Sequence, residues 1–177
     1  MVKPFLTALT ASFIFVSAAA QAQQAPAPAS PLDNVPEKMP FNTPYGAPIS
    51  AERALAVIGA ATAEAKKRGW PMNVAVVDSG GNLVAFERMD GAQLASIPIA
   101  EHKARVAAKY RRPTKVFEDA IQKNDLKYIL SLDDVIASRG GIPLIEDGKL
   151  IGAVGCSGAT GSQDEVICMA GAAVVNK

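Results

Sequence analysis

Metal ligands and nucleophiles are scarce in this sequence of 177 residues, which narrows the chemistry it can perform. It contains one histidine, His102, and two cysteines, Cys156 and Cys168. A catalytic zinc usually takes three protein ligands and a zinc finger takes four, so zinc fingers and multi-histidine metal centres are excluded. A haem iron needs only one strong axial ligand, so a single histidine is compatible with haem.

The histidine and the cysteines each allow two interpretations. A lone histidine on a helix, as expected for His102, is more often a partly buried packing residue than a ligand. Cys156 ends a predicted strand and Cys168 lies in the following helix. In an oxidising compartment the two can form a disulfide across the packing of strand and helix, and two buried free thiols are an equal alternative.

Six basic residues form a local patch. They are Lys103, Arg105, Lys109, Arg111, Arg112 and Lys115. A solvated helix face is the ordinary interpretation, and the alternative is a site for carboxylates, because guanidinium groups bind carboxylates in a bidentate manner. Haem propionates and small organic acids are the ligands of that class. Nucleic acid is not expected, because 18 basic residues balance 17 acidic ones and few aromatic residues lie among them.

A run of glycines lies between the last predicted strand and the last helix. Gly152, Gly155, Gly158 and Gly161 recur at every third position, which matches neither a dinucleotide fingerprint nor a P-loop. Ser162 and Glu165 have the spacing of a capping box, so a structural turn is favoured over a phosphate site.

The predicted elements follow the order helix, β-hairpin, helices, β-hairpin, helix. Apolar residues at three- and four-residue spacing follow Ser50, and Gly69 ends this first helix. Runs rich in β-branched residues flank Gly80-Gly81 and Asp147-Gly148, which predicts two hairpins. The second helix runs from Ser96 to about residue 110.

Thr114 is predicted to cap a short third helix that ends near Gln122, and residues 124–139 show no clear pattern. Hairpins pair antiparallel, so the order of elements predicts an α+β fold with helices packed on a mostly antiparallel sheet.

The first 48 residues differ from the rest in composition. Lys3, an apolar run from Phe5 to Val16 and a small-residue site at Ala20-Gln21-Ala22 predict a signal peptide over 1–22. Seven prolines over residues 23–48 indicate an extended leader, and the alternative is an arm that wraps a neighbouring subunit. The folded domain is expected over 49–177, without a membrane span and in the periplasm or outside the cell.

Several motifs along the domain occur together and in a fixed order. They are Val76-Val-Asp-Ser-Gly-Gly-Asn-Leu-Val-Ala-Phe-Glu-Arg-Met-Asp-Gly-Ala92, Ile99-Ala-Glu-His-Lys-Ala104, Arg112-Pro-Thr114, Gly140-Gly-Ile-Pro143 and Ile151-Gly-Ala-Val-Gly-Cys-Ser-Gly158 with Asp164-Glu165. From about Ser50 onward the chain therefore resembles the GlcG/HbpS-like family, also called the haem-degrading domain.

The resemblance implies a three-layer α/β/α domain with a central, mostly antiparallel sheet, assembled as dimers or up to octamers. Exported relatives bind haem and degrade it or sense redox state. Thr114 matches a threonine that contacts haem in those relatives, and His102 is the alternative iron ligand. Lys103 matches a helix lysine of the family, and with Arg111 and Arg112 it is expected near the propionates.

Three functions follow as hypotheses. The first is an exported haem-binding protein that degrades haem or senses redox state. The second is an enzyme or accessory subunit acting on a small hydroxy- or oxo-acid, with Asp78, Asp90, Asp164 and Glu165 as candidate acids or bases. The third is a non-catalytic assembly module. No residue pattern identifies a reaction, so the sequence leaves open whether the protein is an enzyme.

Overall fold

Two antiparallel β-hairpins form the centre of the structure, a computed structural model that describes residues 34–176. The first hairpin contains β1 (Asn73–Asp78) and β2 (Leu83–Arg88), and the second contains β3 (Gly141–Glu146) and β4 (Lys149–Ser157). They join along β1 and β4 into a sheet with the strand order β2-β1-β4-β3, in which every neighbouring pair is antiparallel. The predicted signal peptide lies outside the described residues.

Helices cover both faces of this sheet. α1 (Ala51–Arg68) and α4 (Gly161–Ala172) lie on one face and α2 (Ser96–Tyr110) on the other. The described residues 34–176 also contain α3 (Lys115–Asn124) and a 3₁₀ helix over Lys127–Ser131. The predicted α+β fold is confirmed. Ser50 caps α1 through its side chain, and Gly69 ends α1 in the left-handed region, both as predicted.

Alternating residues of β1 pack against helices on opposite faces of the sheet. Val74 and Val76 belong to the core that contains α1 and α4, whereas Ala75 and Val77 belong to the core that contains α2. Successive strand residues point to opposite faces, so a strand buried on both sides reads as a continuous apolar run. The result is the expected three-layer α/β/α arrangement.

Gly155 of β4 is the point of closest approach between the sheet and α2. A Cβ atom at this position would lie 2.1 Å from the carbonyl oxygen of Ala100 and 2.5 Å from the amide nitrogen of Ala104. The backbone of α2 therefore packs directly on the backbone of β4. The sequence indicated only that the glycines around this position build structure.

We expect Gly155→Ala to destabilise the protein by about 1–3 kcal/mol, because α2 must move away from β4 to admit a methyl group. Gly59→Ala is the matched control, since nothing lies within 4 Å of a Cβ at that exposed position of α1. Alanine is the better helix former, so the control should be neutral or more stable. Urea unfolding measures both, and equal midpoints for the two variants would contradict the close approach.

The end of the proline-rich leader packs on the domain of the same chain. β1 ends opposite Gly152, and beyond that point β4 bonds the leader instead. The amide of Leu150 donates to the carbonyl oxygen of Pro44 at 2.8 Å, and the amide of Gly46 donates to the carbonyl oxygen of Leu150 at 2.7 Å. Residues 44–49 therefore satisfy backbone groups that the end of β1 leaves unpaired.

The predicted cap of α3 is confirmed in position, and that of α4 is wrong. Thr114 is the N-cap residue of α3, which begins at Lys115, but its side chain makes no hydrogen bond to the helix. The capping box of α4 consists of Thr160 and Gln163, two residues before the predicted pair of Ser162 and Glu165. Both pairs match the sequence pattern of a capping box, so the pattern alone could not decide between them.

A disulfide joins Cys156 of β4 to Cys168 of α4, with a Cα–Cα distance of 5.5 Å. Both residues are fully buried. Of the two interpretations that the sequence allowed, the structure therefore contains the disulfide. The bond fastens α4 to the central strand of the sheet.

Candidate functional site

An apolar cleft lies between α3 and the 3₁₀ helix, beside the Arg112-Pro-Thr114 motif. Its volume is about 330 Å³. Six apolar side chains line it, namely Val116, Phe117, Ala120, Leu126, Ile129 and Leu132. The lining residues with polar side-chain atoms are Tyr110, Arg112 and Tyr128. A mostly apolar cleft with a few polar groups is typical of a small-molecule site.

The cleft forms because the chain turns sharply after α2. Arg111 adopts a left-handed conformation with a φ of 53° and ends the helix. Pro113 cannot donate a backbone hydrogen bond, so α2 does not continue. α3 then buries Phe117, and the ring of Tyr110 packs edge-on against it at a centroid distance of 5.1 Å.

Arg112 places a positive charge at the wall of this cleft. Its guanidinium lies 4.0 Å from the ring centre of Phe41 and 5.6 Å from that of Phe117, and Nε donates to the carbonyl oxygen of Tyr110 at 2.9 Å. Burial, with the neighbouring charge of Arg111, lowers the pKa of Arg112. An arginine nevertheless remains charged at neutral pH, so Arg112 can bind a carboxylate in the cleft.

Arg111, the other arginine predicted near a carboxylate, contacts the leader instead. Its Nη1 donates to the carbonyl oxygen of Thr43 at 3.1 Å, and its guanidinium lies 5.3 Å from the ring centre of Tyr45. The hydroxyl of Tyr45 donates to the carbonyl oxygen of Lys109 at 2.7 Å. Arg111 therefore helps to hold the leader on the end of α2.

Lys103 lies in the interior and is paired with an acid. Its side chain is 1% exposed, and Nζ lies 2.7 Å from Oδ2 of Asp164, which is 2% exposed. The other oxygen of Asp164 accepts hydrogen bonds from the amides of Gly158 and Ala159, each at 3.1 Å. Burial raises the pKa of Asp164, against the opposing effects of Lys103 and these amides. The ammonium of Lys103 is thus already neutralised by a carboxylate of the same chain.

Thr114 is also fully buried, and a Cβ at Gly141 would lie 2.6 Å from its Cγ2 and 2.3 Å from the carbonyl oxygen of Lys103. Its Oγ1 accepts a hydrogen bond from the amide of Gly141 at 2.9 Å, and its own amide donates to the carbonyl oxygen of Gly141 at 3.0 Å. These two bonds fasten the start of α3 to β3. The structure thus brings Lys103 and Thr114 together around Gly141, but neither lines the cleft.

His102 belongs to a separate surface cluster around Asp134. Nε2 of His102 lies 3.3 Å from Oδ1 of Asp134, Nζ of Lys109 lies 2.7 Å from Oδ2, and Nε of Arg105 lies 3.7 Å from Oδ1. Burial alone would raise the pKa of Asp134, but the hydrogen bond from Lys109 and the charges of Arg105 and His102 lower it. Asp134 therefore neutralises part of the predicted basic patch, and Nε2 of His102 is oriented towards this cluster.

The four carboxylates proposed as acids or bases occupy unrelated positions. Asp78 accepts from the amides of Gly80 at 2.8 Å and Asn82 at 2.9 Å, so it organises the turn of the first hairpin. Asp90 is exposed, and Glu165 lies 3.5 Å from Nη1 of Arg139.

Of these four carboxylates, Asp164 is the buried one, and its oxygens are bonded to Lys103 and to two loop amides. The amides of the glycine loop thus bind a carboxylate of the chain itself.

The cleft could not be predicted from the sequence. Four of its nine lining residues follow α3, in the stretch 124–139 for which the sequence predicts no structure. The apolar spacing of Leu126, Ile129 and Leu132 was the available signal. A 3₁₀ helix of five residues is too short to produce a recognisable periodic pattern.

Within residues 34–176 no three side chains among histidine, cysteine, aspartate and glutamate converge as a metal site would require. No helix in the described part of the chain is long and apolar enough to cross a membrane.

Comparison with known proteins gives consistent results over most of the chain. Residues 49–173 match the family model described as haem degrading protein HbpS-like. Protein GlcG of Escherichia coli K12 is 40% identical over 109 residues, which cover 62% of this chain and 81% of GlcG.

Two solved structures share the fold. A double mutant of HbpS from Streptomyces reticuli is 29% identical, with a TM-score of 0.69 over 86% of this chain and all of that one. A PduOC–haem complex is 29% identical, with a TM-score of 0.65 over 73% of this chain and 96% of PduOC.

Proposed function

We propose, from the premise that this chain belongs to the HbpS-like family of haem degrading proteins, that it binds haem in the cleft between α3 and the 3₁₀ helix. The family predicted from the sequence motifs is confirmed by the match over residues 49–173. The observation that carries the proposal is the apolar cleft with Arg112 at its wall. A structural relative, PduOC, has been solved as a haem complex.

The residues of the cleft fit the chemistry of haem. The apolar lining and the edge-on pair of Tyr110 and Phe117 suit the faces of a porphyrin, and the cleft opens to solvent. The guanidinium of Arg112 suits a propionate, because a charge-assisted hydrogen bond strengthens where water is partly excluded. When bound, haem supplies a redox-active iron, whereas the residues of the chain bind it, orient it and exclude water.

Thr114 and His102, the iron ligands suggested by the sequence, do not face the cleft in the single chain. Oγ1 of Thr114 is buried against Gly141, and Nε2 of His102 is oriented towards Asp134. Neither residue lines the cleft, so ligation by either requires a rearrangement or another subunit. Lys103 is likewise paired with Asp164, which leaves Arg112 as the predicted propionate contact that faces the cleft.

A haemin titration of the purified protein tests the proposal. We expect a Soret band that saturates near one haem per chain. Arg112→Gln should weaken binding about tenfold, since it removes a charged hydrogen bond to a propionate. Arg88→Gln is the matched control, because Arg88 is exposed on β2 and does not line the cleft.

Broad absorbance that does not saturate would overturn haem binding. A thermal shift with small hydroxy- or oxo-acids that is lost in Arg112→Gln would then support the second hypothesis, in which the same guanidinium binds a substrate carboxylate. Degradation of haem and redox sensing belong to the same proposal. Loss of the Soret band on addition of a reductant and oxygen would indicate degradation.

We also propose that the protein is exported and assembles with copies of itself. Export is supported by the Cys156–Cys168 disulfide, because disulfides persist in oxidising compartments such as the periplasm. Assembly, from dimers up to octamers, is supported by apolar residues at the surface of α4 and just after it, namely Val166, Met169 and Val174.

A further inference from the structure

Only three residues that line the cleft carry polar side-chain atoms, and two of them are not available as iron ligands. The hydroxyl of Tyr110 donates to the carbonyl oxygen of Asp133 at 2.8 Å, so its one proton is already engaged by the backbone. Arg112 has donors but no lone pair to give to a metal. The remaining residue is Tyr128, on the 3₁₀ helix.

Tyr128 has the properties that a ligand requires. Its side chain lines the cleft, it is 49% exposed, and its hydroxyl forms no hydrogen bond with any residue over 34–176. The 3₁₀ helix that carries the tyrosine is anchored by the buried Ile129. Phenolate oxygen is one of the axial ligands that proteins provide to haem iron.

We infer that Oη of Tyr128 is the protein ligand to the haem iron in this cleft. The inference rests on the proposed haem binding and names an atom that the sequence resemblance did not suggest. On ligation, the phenol transfers its proton to water and the phenolate oxygen binds the ferric iron, whose oxidation state does not change. The positive charge of Arg112, on the wall of the same cleft, stabilises the phenolate.

The inference is tested with Tyr128→Phe, measured by ferric absorbance spectra and haemin affinity. We expect the variant to lose the phenolate-to-iron charge-transfer band and to bind haemin at least about tenfold more weakly. Tyr45→Phe is the matched control, because it removes the same hydroxyl from a tyrosine that does not line the cleft and whose hydroxyl donates to the backbone of Lys109. The control should keep the wild-type spectrum.

A second variant separates loss of a ligand from loss of structure. Tyr128→His places a different ligand at the same position, so it should restore the affinity with a spectrum typical of an imidazole ligand. A wild-type spectrum in Tyr128→Phe would overturn the inference and leave haem binding intact. Loss of the wild-type spectrum in Thr114→Val or His102→Gln, but not in Tyr128→Phe, would overturn it as well. Failure of the wild-type protein to bind haemin would instead overturn the proposed function.

Discussion

Replacing Lys103 with methionine is expected to lower the free energy of unfolding by about 3–5 kcal/mol, because it leaves the carboxylate of Asp164 buried without its cation. Both side chains are almost fully buried, and Nζ and Oδ2 are 2.7 Å apart. Methionine fills a similar volume, so the loss reports the charge rather than a cavity. Urea unfolding at neutral pH measures the effect.

The effect of Lys103→Met should depend on pH with a defined sign. The pKa of Asp164 is raised in the folded protein, so the folded protein binds a proton at this carboxyl more readily than the unfolded chain does. The free energy of unfolding therefore falls as the pH rises from 3.8, the ordinary pKa, through the raised pKa. Without Lys103 the pKa of Asp164 rises further. The difference in the free energy of unfolding between wild type and Lys103→Met should therefore be small near pH 4 and grow towards neutral pH.

Two variants control this prediction. Lys67→Met removes an exposed lysine that lies 3.8 Å from Glu64, and surface pairs of this kind contribute little. In the double variant Lys103→Met, Asp164→Asn, the side-chain amide oxygen at position 164 still accepts hydrogen bonds from the backbone amides of Gly158 and Ala159, and no charge is buried at this site. The double variant should therefore be more stable than Lys103→Met. Equal stability of Lys103→Met and wild type would show that the Lys103–Asp164 ion pair does not stabilise the fold.

Opening the Cys156–Cys168 disulfide is expected to lower the free energy of unfolding by about 3 kcal/mol, the stabilisation typical of a disulfide that closes a loop of roughly this length. The two cysteines are 12 residues apart, and the loop between them contains Asp164. Without the bond, α4 is no longer fastened to β4, and the carboxylate that neutralises Lys103 is held less firmly. The urea midpoint of the wild-type protein should therefore fall when a reductant is added.

The double variant Cys156→Ala, Cys168→Ala controls for other effects of the reductant. It should unfold at a similar, lowered midpoint with or without reductant, because it has no bond to open. Alkylation of the wild-type protein followed by mass measurement verifies that the disulfide is open. An unchanged midpoint in a wild-type sample with both thiols alkylated would contradict the prediction.

Local signals in the sequence were sufficient for most of the fold. The hairpins followed from Gly80-Gly81 and Asp147-Gly148, because positive φ angles at such turns are a property of a few neighbouring residues. The ends of α1 followed from Ser50 and Gly69 for the same reason. Resemblance of ordered motifs then supplied the layers, which local patterns could not give.

Contacts between distant residues could not be predicted in the same way. A lysine is usually exposed, and the acid that allows Lys103 to be buried lies 61 residues further along the chain. The start of α4 was misplaced because Glu165, which has the spacing for a capping box, instead lies near Arg139. Arg139 itself is bound to Glu118, at 2.6 Å between Nη2 and Oε1.

The cleft also depends on contacts between residues that are far apart in the sequence. Arg112 was predicted as a contact for a carboxylate, but its position between Phe41 and Phe117 follows from how the leader and α3 pack together. Tyr128 was not singled out, because it lies in a stretch without periodicity. A cleft formed by a turn and a 3₁₀ helix is recognised only when the tertiary structure is known.

The strand order has a consequence for when the protein can fold. The two central strands are the first and the last to leave the ribosome, and Asn73 pairs with Ser157, 84 residues later. A lone hairpin is marginally stable in water, so the first hairpin gains its partner only after β4 has been synthesised. Pairing across such a distance is also slow. Most of the chain therefore emerges before a stable sheet can form, which is compatible with the export that we propose, since a secretion channel admits an unfolded chain.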